Sequence, residues 1–137
     1  MNNSADSATS KAKPLDVLIV GSGFGGLCMA IKLAETGSHN IVLLEKASDV
    51  GGTWRENSYP GAACDVQSHM YSFSFAPKTD WTQRYGGHAE ILEYIRSTTE
   101  KYRLRRFINF NREVTGMHFD EDAALWTVTT AQDETYV

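Results

Sequence analysis

Cysteine, proline and positive charge are all scarce in this chain. Among its 137 residues it has two cysteines, three prolines, and 13 basic against 17 acidic side chains, for a net charge of −4. Cys28 and Cys64 are too far apart for a C-x-x-C motif and too few for a disulfide framework, so we expect a reduced, cytoplasmic setting. The acidic balance favours neither nucleic acid nor an anionic membrane as a partner. The four histidines lack the spacing of metal ligands, and we predict no metal site.

The sequence also lacks a hydrophobic run suited to a membrane span. The most apolar stretch, Leu15–Ala34, contains four glycines as well as Asp16 and Lys32. A buried strand, turn and helix explain this stretch better than a stable membrane insertion does. Residues 1–13 are polar and rich in Ser, Ala and Asn, so we predict a disordered leader and no signal peptide. Residues 14–137 suffice for one globular domain.

The strongest positive signal is a glycine-rich turn between an apolar strand and a helix. Val17–Val20 precedes the motif G-x-G-x-x-G, whose glycines are Gly21, Gly23 and Gly26. Gly21 allows a sharp turn, Gly23 lets the backbone approach a pyrophosphate, and Gly26 lets the helix lie close to the strand. The helix N-terminus then favours a diphosphate. Glycines also occur in ordinary turns, but the strand before and the helix after favour a dinucleotide site.

An acidic residue, Glu45, ends the next apolar run, Ile41–Glu45. A carboxylate at the end of the second strand can accept hydrogen bonds from the hydroxyls of an adenosine ribose. The same carboxylate would repel a 2′-phosphate. The motif therefore predicts a site for FAD or NAD and not for NADP.

Hydrophobic periodicity predicts an α/β fold in which a Rossmann-like βαβ unit with a parallel sheet is followed by a small β-meander. The segment Lys46–Gly87 has little periodicity but many aromatic residues, so we expect a functional loop and not a disordered one. The predicted elements are strands at Asp16–Val20, Ile41–Glu45 and Phe107–Asn111, helices at Gly25–Thr36 and Ala89–Tyr102, a hairpin of Val114–Phe119 and Leu125–Thr130, and a further strand beginning at Glu134.

The long segment carries a second pattern. Glu45 is followed after five residues by Gly51-Gly52-Thr53-Trp54, which resembles the E-x5-G-G-x-W signature of flavin monooxygenases. The continuation, Tyr59-Pro60-Gly61-Ala62-Ala63-Cys64-Asp65 and Ser68-His69-Met70-Tyr71-Ser72-Phe73, is similar to the Baeyer–Villiger monooxygenase branch of that family. The resemblance covers about residues 15 to 130.

The resemblance implies roles for individual residues. Glu45 would bind the adenosine ribose, Asp65 would lie beside the isoalloxazine and orient an arginine from a later domain, and Tyr71 would contact the flavin or its ribityl chain. Together with the glycine motif, it gives these candidate cofactor-binding residues: Gly21, Gly23, Phe24, Gly26, Glu45, Gly52, Thr53, Trp54, Arg55, Asp65, Tyr71 and Val114. Alternatively, Trp54 and Tyr71 are core aromatics and Asp65 is a turn residue.

The resemblance also implies an activity: an FAD- and NADPH-dependent monooxygenase that uses O2 to convert ketones into esters or lactones. The family's F-x-G-x3-H-x3-W fingerprint and a second glycine motif for NADPH are absent from the sequence. We therefore expect an N-terminal, truncated FAD domain that is inactive alone, with most of the NADPH site outside this chain. The alternatives are an N- or S-oxygenating flavin monooxygenase, a non-catalytic nucleotide-binding module and an NAD dehydrogenase domain.

Overall fold

The computed structural model describes residues 13–37 and 39–137, so almost all of the predicted leader lies outside the described residues. Within them, the chain forms six strands and three α-helices, with short 3-10 turns at Ser68–Met70 and Leu104–Phe107. Their bounds are β1 Val17–Val20, α1 Phe24–Glu35, β2 Ile41–Glu45, α2 Thr53–Glu56, α3 His88–Lys101, β3 Ile108–Phe110, β4 Val114–Asp120, β5 Leu125–Thr130 and β6 Thr135–Tyr136.

The first three strands form the predicted parallel sheet, in the order β1-β2-β3. Val17 lies opposite Ile41, and Leu43 lies opposite Ile108. Because the strands are parallel, their carboxyl ends meet at one edge of the sheet, which is where ligands bind in open α/β sheets. The sheet therefore presents the glycine turn after β1 and Glu45 at the end of β2 side by side.

Burial of apolar side chains, and not helix propensity, explains why α1 forms. Its first turn contains two glycines, which are poor helix formers. Leu27, Ala30 and Ile31 recur at helical spacing and are buried against the sheet. Past the end of the helix, the Thr36 hydroxyl donates to the Leu33 carbonyl at 2.9 Å. The predicted helix is confirmed, and it begins one residue earlier than its sequence pattern indicated.

Strands β4, β5 and β6 form the predicted antiparallel meander. Its first strand contains a register shift between Val114 and Gly116. Strand β3 is one residue shorter than predicted at each end: Phe107 belongs to the 3-10 turn Leu104–Phe107, and Asn111, with φ +56°, is not extended. None of the helices in the described ranges is long and apolar enough to cross a membrane.

The long segment between β2 and α3 is part of the core. Val50, Phe73 and Ala76 are all buried in the main hydrophobic cluster. The segment also contains α2, which the sequence did not predict because a single turn is too short to show a helical period. The aromatic residues of this segment therefore serve packing as well as any site they line.

Tyr94 of α3 joins this segment to the rest of the core. Its hydroxyl donates to the Ala76 carbonyl and accepts from the Phe73 amide, both at 2.8 Å. Its ring lies 6.0 Å from the ring of Phe24. One buried side chain thus satisfies two backbone groups of a segment that has little secondary structure of its own.

Tyr94→Phe tests this anchor. The change leaves the buried Phe73 amide and Ala76 carbonyl without their partner, so we expect the free energy of unfolding to fall by about 1–3 kcal/mol. Urea denaturation measures this free energy of unfolding. The matched control is Tyr102→Phe, whose hydroxyl makes a single long bond of 3.4 Å to the Phe75 carbonyl, and its loss should be smaller. Equal losses in the two variants would contradict the anchor.

Candidate functional site

The glycine turn has the geometry that its sequence predicts. Gly21 has φ +88°, and its amide donates to the Leu44 carbonyl at 2.8 Å, which ties the turn to β2. A Cβ at Gly26 would overlap the Gly21 carbonyl oxygen and lie 3.1 Å from its carbon. Helix α1 therefore begins in direct contact with the end of β1, and only glycine permits that contact.

The N-terminus of α1 is free to receive an anion. Its N-cap residue, Gly23, has no side chain that could cap the helix, and the first turn contains no acidic side chain. The first amides of a helix have no partner within the helix and carry the positive end of its dipole. These features fit a diphosphate, which would satisfy several amides at once.

A second backbone segment faces the turn. The Gly51 amide donates to the Ser22 carbonyl at 3.1 Å. Gly52, with φ +51°, lies so close that a Cβ there would be 3.2 Å from the Gly23 Cα. The residues Gly51 and Gly52, which we call the glycine wall, thus form the opposite side of a narrow cleft.

Glu45 is buried at the base of this cleft, with 5% of its surface exposed. Its Oε2 accepts from the Ser22 amide at 2.7 Å and the Ser22 hydroxyl at 2.6 Å, and its Oε1 accepts from the Ala47 amide at 2.8 Å. Burial by itself raises the pKa of Glu45, but the hydrogen bonds from Ser22 and Ala47 outweigh it and lower the pKa. The carboxylate is therefore ionised at neutral pH and held against the glycine turn.

The cleft has a volume of about 280 Å³. It is lined by Val20, Gly21, Ser22, Gly23, Glu45, Lys46, Gly52, Glu56, Glu113 and Val114. The structure thus brings five of the predicted site residues together: Gly21, Gly23, Glu45, Gly52 and Val114. Their contacts with a cofactor stay predictions. This volume is slightly below the roughly 300–1,000 Å³ of small-molecule pockets, so the cleft is sized for one half of a dinucleotide and not for the whole.

Sequence reasoning missed five residues of the cleft: Val20, which it assigned only to the strand β1, and four polar residues. Ser22 is fully buried and binds Glu45, and Lys46 pairs with Glu56 at 3.0 Å on the rim. Glu113 precedes Val114 and faces the same space. One signal for Ser22 was available: it is the only polar side chain in the turn, and the turn leaves β1 beside the end of β2. Three carboxylates against one lysine leave the cleft negative, which disfavours a 2′-phosphate.

Phe24, Trp54 and Tyr71 form an aromatic group behind the glycine turn. Tyr71 lies edge-on to the other two, with ring centroids 5.2 Å from Phe24 and 5.5 Å from Trp54. The Trp54 Nε1 donates to the Tyr71 hydroxyl at 3.2 Å. Burial raises the pKa of Tyr71, and nearby Cys64 and Asp65 add to that rise against the Trp54 hydrogen bond. All three rings pack on the core while remaining partly exposed.

The remaining predicted site residues do not line the cleft. Thr53 and Asp65 are exposed, and the Arg55 guanidinium donates to the Ser48 hydroxyl at 3.1 Å. Their contacts with a flavin stay predictions. In residues 13–37 and 39–137, no group of three or more His, Cys, Asp or Glu side chains is placed to hold a metal ion.

Known proteins that are similar to this chain in sequence and in structure are monooxygenases of the same kind. Two proteins named Baeyer–Villiger monooxygenase are each 45% identical to this chain: one from Streptomyces coelicolor, matched over 85% of this chain and 22% of its own length, and one from Pseudomonas aeruginosa, over 91% and 24%. Among solved structures, a steroid monooxygenase bound to NADP superposes with a TM-score of 0.85 at 38% identity. It is matched over 90% of this chain and 24% of its own.

An open crystal structure of cyclohexanone monooxygenase superposes with a TM-score of 0.84 at 37% identity, over 91% of this chain and 25% of its own. The chain spans about a quarter of the length of these relatives. The resemblance to the Baeyer–Villiger monooxygenases is thereby confirmed. A family model described as NAD(P)-binding Rossmann-like domain matches residues 19–87, the part that contains the glycine turn, Glu45 and the glycine wall. By that match over half of its length, the chain belongs to the family of NAD(P)-binding Rossmann-like domains.

Proposed function

We propose that residues 14–137 form part of the FAD-binding domain of a Baeyer–Villiger monooxygenase. Such an enzyme uses NADPH and O2 to convert a small ketone into an ester or lactone. The observation that carries the proposal is the buried, ionised Glu45, which is hydrogen-bonded to a glycine turn whose helix N-terminus is uncapped. The relatives named Baeyer–Villiger monooxygenase support it.

The residues of the cleft fit the adenosine diphosphate half of FAD. Amides at the start of α1 would bind the diphosphate, Glu45 would accept from the ribose hydroxyls, and Val114 would lie beside the adenine. A Cβ at Gly52 would lie 3.2 Å from the Gly23 Cα and would narrow the space between the two backbones. When bound, FAD would supply the redox chemistry between NADPH and O2.

The chain's own residues would bind and orient the cofactor and keep water away from it. Phe24, Trp54 and Tyr71 would form a rigid apolar surface towards the flavin side, because their rings already support one another. Asp65, exposed next to this group, would orient an arginine supplied from outside this chain. We also propose a cytoplasmic location, which the scarcity of cysteine in the sequence supports.

Titration with FAD tests the proposal. We expect the purified chain to bind one FAD and to quench its fluorescence, and NADP⁺ not to compete for this site because the cleft is negative. The protein expressed from its complete reading frame should then oxidise NADPH and convert a cyclic ketone into a lactone.

Other outcomes would point elsewhere. Failure of the purified chain to bind FAD would contradict the proposed FAD site. A complete protein that oxygenates a thioether and leaves the ketone unchanged would favour an N- or S-oxygenating enzyme. A complete protein that binds FAD but does not oxidise NADPH would favour a non-catalytic nucleotide-binding module.

A further inference from the structure

We propose that Asp49, Arg96 and Arg105 form a positioning device for the dinucleotide cleft, which we call the arginine clamp. The clamp holds the glycine wall in place from the side of α3, and none of its three residues lines the cleft. This inference rests on the proposed FAD site, whose geometry it serves. The three residues come from three separate elements: the loop after β2, helix α3 and the 3-10 turn before β3.

Both oxygens of the Asp49 carboxylate accept hydrogen bonds from arginine side chains. Its Oδ2 accepts from the Arg96 Nε at 2.9 Å, and its Oδ1 accepts from the Arg105 Nη2 at 3.2 Å. Arg105 is itself held by Glu100. Burial raises the pKa of Asp49, but the Val50 amide and the two arginines outweigh it and lower the pKa. The clamp is therefore charged at neutral pH and fixes Asp49 in one orientation.

The chain between Asp49 and the cleft is closely packed. Val50 is fully buried, and Gly51 packs so tightly on α3 that a Cβ would overlap the Leu92 Cδ1 and lie 2.9 Å from the Arg55 Cβ. The next residue, Gly52, faces Gly23 across the cleft. A shift of Asp49 is thus passed on to the glycine wall, and with it to the space for a diphosphate.

The clamp contributes little to holding α3 in the fold. Ile91, Tyr94 and Ile95 already bury the opposite part of that helix in the core. The Asp49 and Arg96 side chains keep 23% and 42% of their surface in solvent, and ion pairs with that exposure stabilise a fold only weakly. A clamp with a positioning role should therefore affect cofactor affinity more than global stability.

Asp49→Asn is the first test, because it keeps the shape of the side chain and removes its charge. We expect the Kd for FAD to rise about fivefold, the most that an ion pair of this weak, exposed kind can transmit to cofactor binding. Arg96→Gln should weaken binding similarly, and the double variant should bind no more weakly than the worse single variant, because the two residues act as one unit. The matched control is Glu35→Gln, which removes the same charge from an exposed pair with Lys32 on α1.

A second readout needs no cofactor. Trp54 lies two residues after the glycine wall, and its amide donates to the Gly51 carbonyl at 3.1 Å. In a protein whose other tryptophans, Trp81 and Trp126, are replaced by phenylalanine, we expect Asp49→Asn to increase acrylamide quenching of Trp54. Glu35→Gln should leave that quenching unchanged.

The two readouts separate the possible failures. If Asp49→Asn lowers the Tm while FAD affinity and Trp54 quenching stay at their unmodified values, the clamp is merely structural and the inference is overturned. If the unmodified chain fails to bind FAD but Asp49→Asn still exposes Trp54, the proposed function falls and the positioning of the glycine wall stands. Unchanged values in both readouts would also overturn the clamp.

Discussion

Gly26→Ala is expected to abolish FAD binding and to lower the free energy of unfolding by about 3 kcal/mol or more, the largest effect of a single substitution that we anticipate. The added Cβ would overlap the Gly21 carbonyl oxygen and lie 3.1 Å from its carbon, and it would also reach the Ile19 Cγ2 at 3.4 Å. The first two atoms belong to the backbone and cannot rotate away. Overpacking a closed contact ordinarily costs about 1–3 kcal/mol, and more where the neighbours are rigid.

The clash can be relieved only if α1 moves away from β1. That movement would displace the helix N-terminus from the turn formed by Gly21 and Gly23, and the amides would no longer converge on a diphosphate. Urea denaturation and FAD titration of the same samples measure both consequences.

The adjacent residue provides a close control. A Cβ at Gly25 would meet no heavy atom within 4 Å, although Gly25 lies in the same helical turn. Gly25→Ala should therefore leave stability unchanged or raise it by up to about 1 kcal/mol, because alanine is the better helix former. Similar unfolding curves for the Gly25 and Gly26 variants would show that the close contact between α1 and β1 is wrong.

Glu45→Gln should produce the second largest effect, weakening FAD binding about 100-fold and lowering stability by about 2–3 kcal/mol. The glutamine side chain has nearly the same shape, but one of its two terminal atoms is a donor. Three donors converge on Glu45: the Ser22 amide and hydroxyl and the Ala47 amide. With glutamine, at least one of these meets another donor in a buried place, and the charge that would bind the ribose hydroxyls is also lost.

The pH dependence of stability shows whether the ionised carboxylate of Glu45 causes this loss of stability. Because folding lowers the pKa of Glu45 below its ordinary value of 4.5, its contribution to stability is fully present above pH 4.5 and is lost as the pH falls through the pKa of the folded state. The difference in unfolding free energy between the unmodified chain and Glu45→Gln should therefore be constant near neutral pH and shrink in acid. Glu35→Gln, at an exposed site, should show a much smaller difference at either pH. A Glu45→Gln difference that persists unchanged in strong acid would contradict the assigned ionisation.

The parts of the site that were predictable from sequence are local. The glycines of the turn and the acid at the end of β2 follow from strand and helix periodicity, and parallel pairing then places them side by side. Gly52 and Val114 were predictable only through the resemblance to a known family, since their own neighbours in sequence indicate no function.

The parts that were not predictable depend on tertiary contacts. Ser22 gains its role because its hydroxyl meets Glu45 from another strand, and Asp49 gains its role because two arginines approach from distant elements. Neither has a periodic signal of its own. The single helical turn of α2 is fixed by packing against α3, and it is too short for a pattern of apolar residues to reveal.

The anchoring of residues 46–87 by Tyr94 bears on how a nucleotide would arrive and depart. A segment whose middle is pinned inside the hydrophobic interior cannot swing aside as a lid without breaking that interior. A nucleotide would instead enter and leave through the open face of the cleft. The lifetime of the bound nucleotide would therefore reflect the strength of its contacts with the protein and not the opening of a gate.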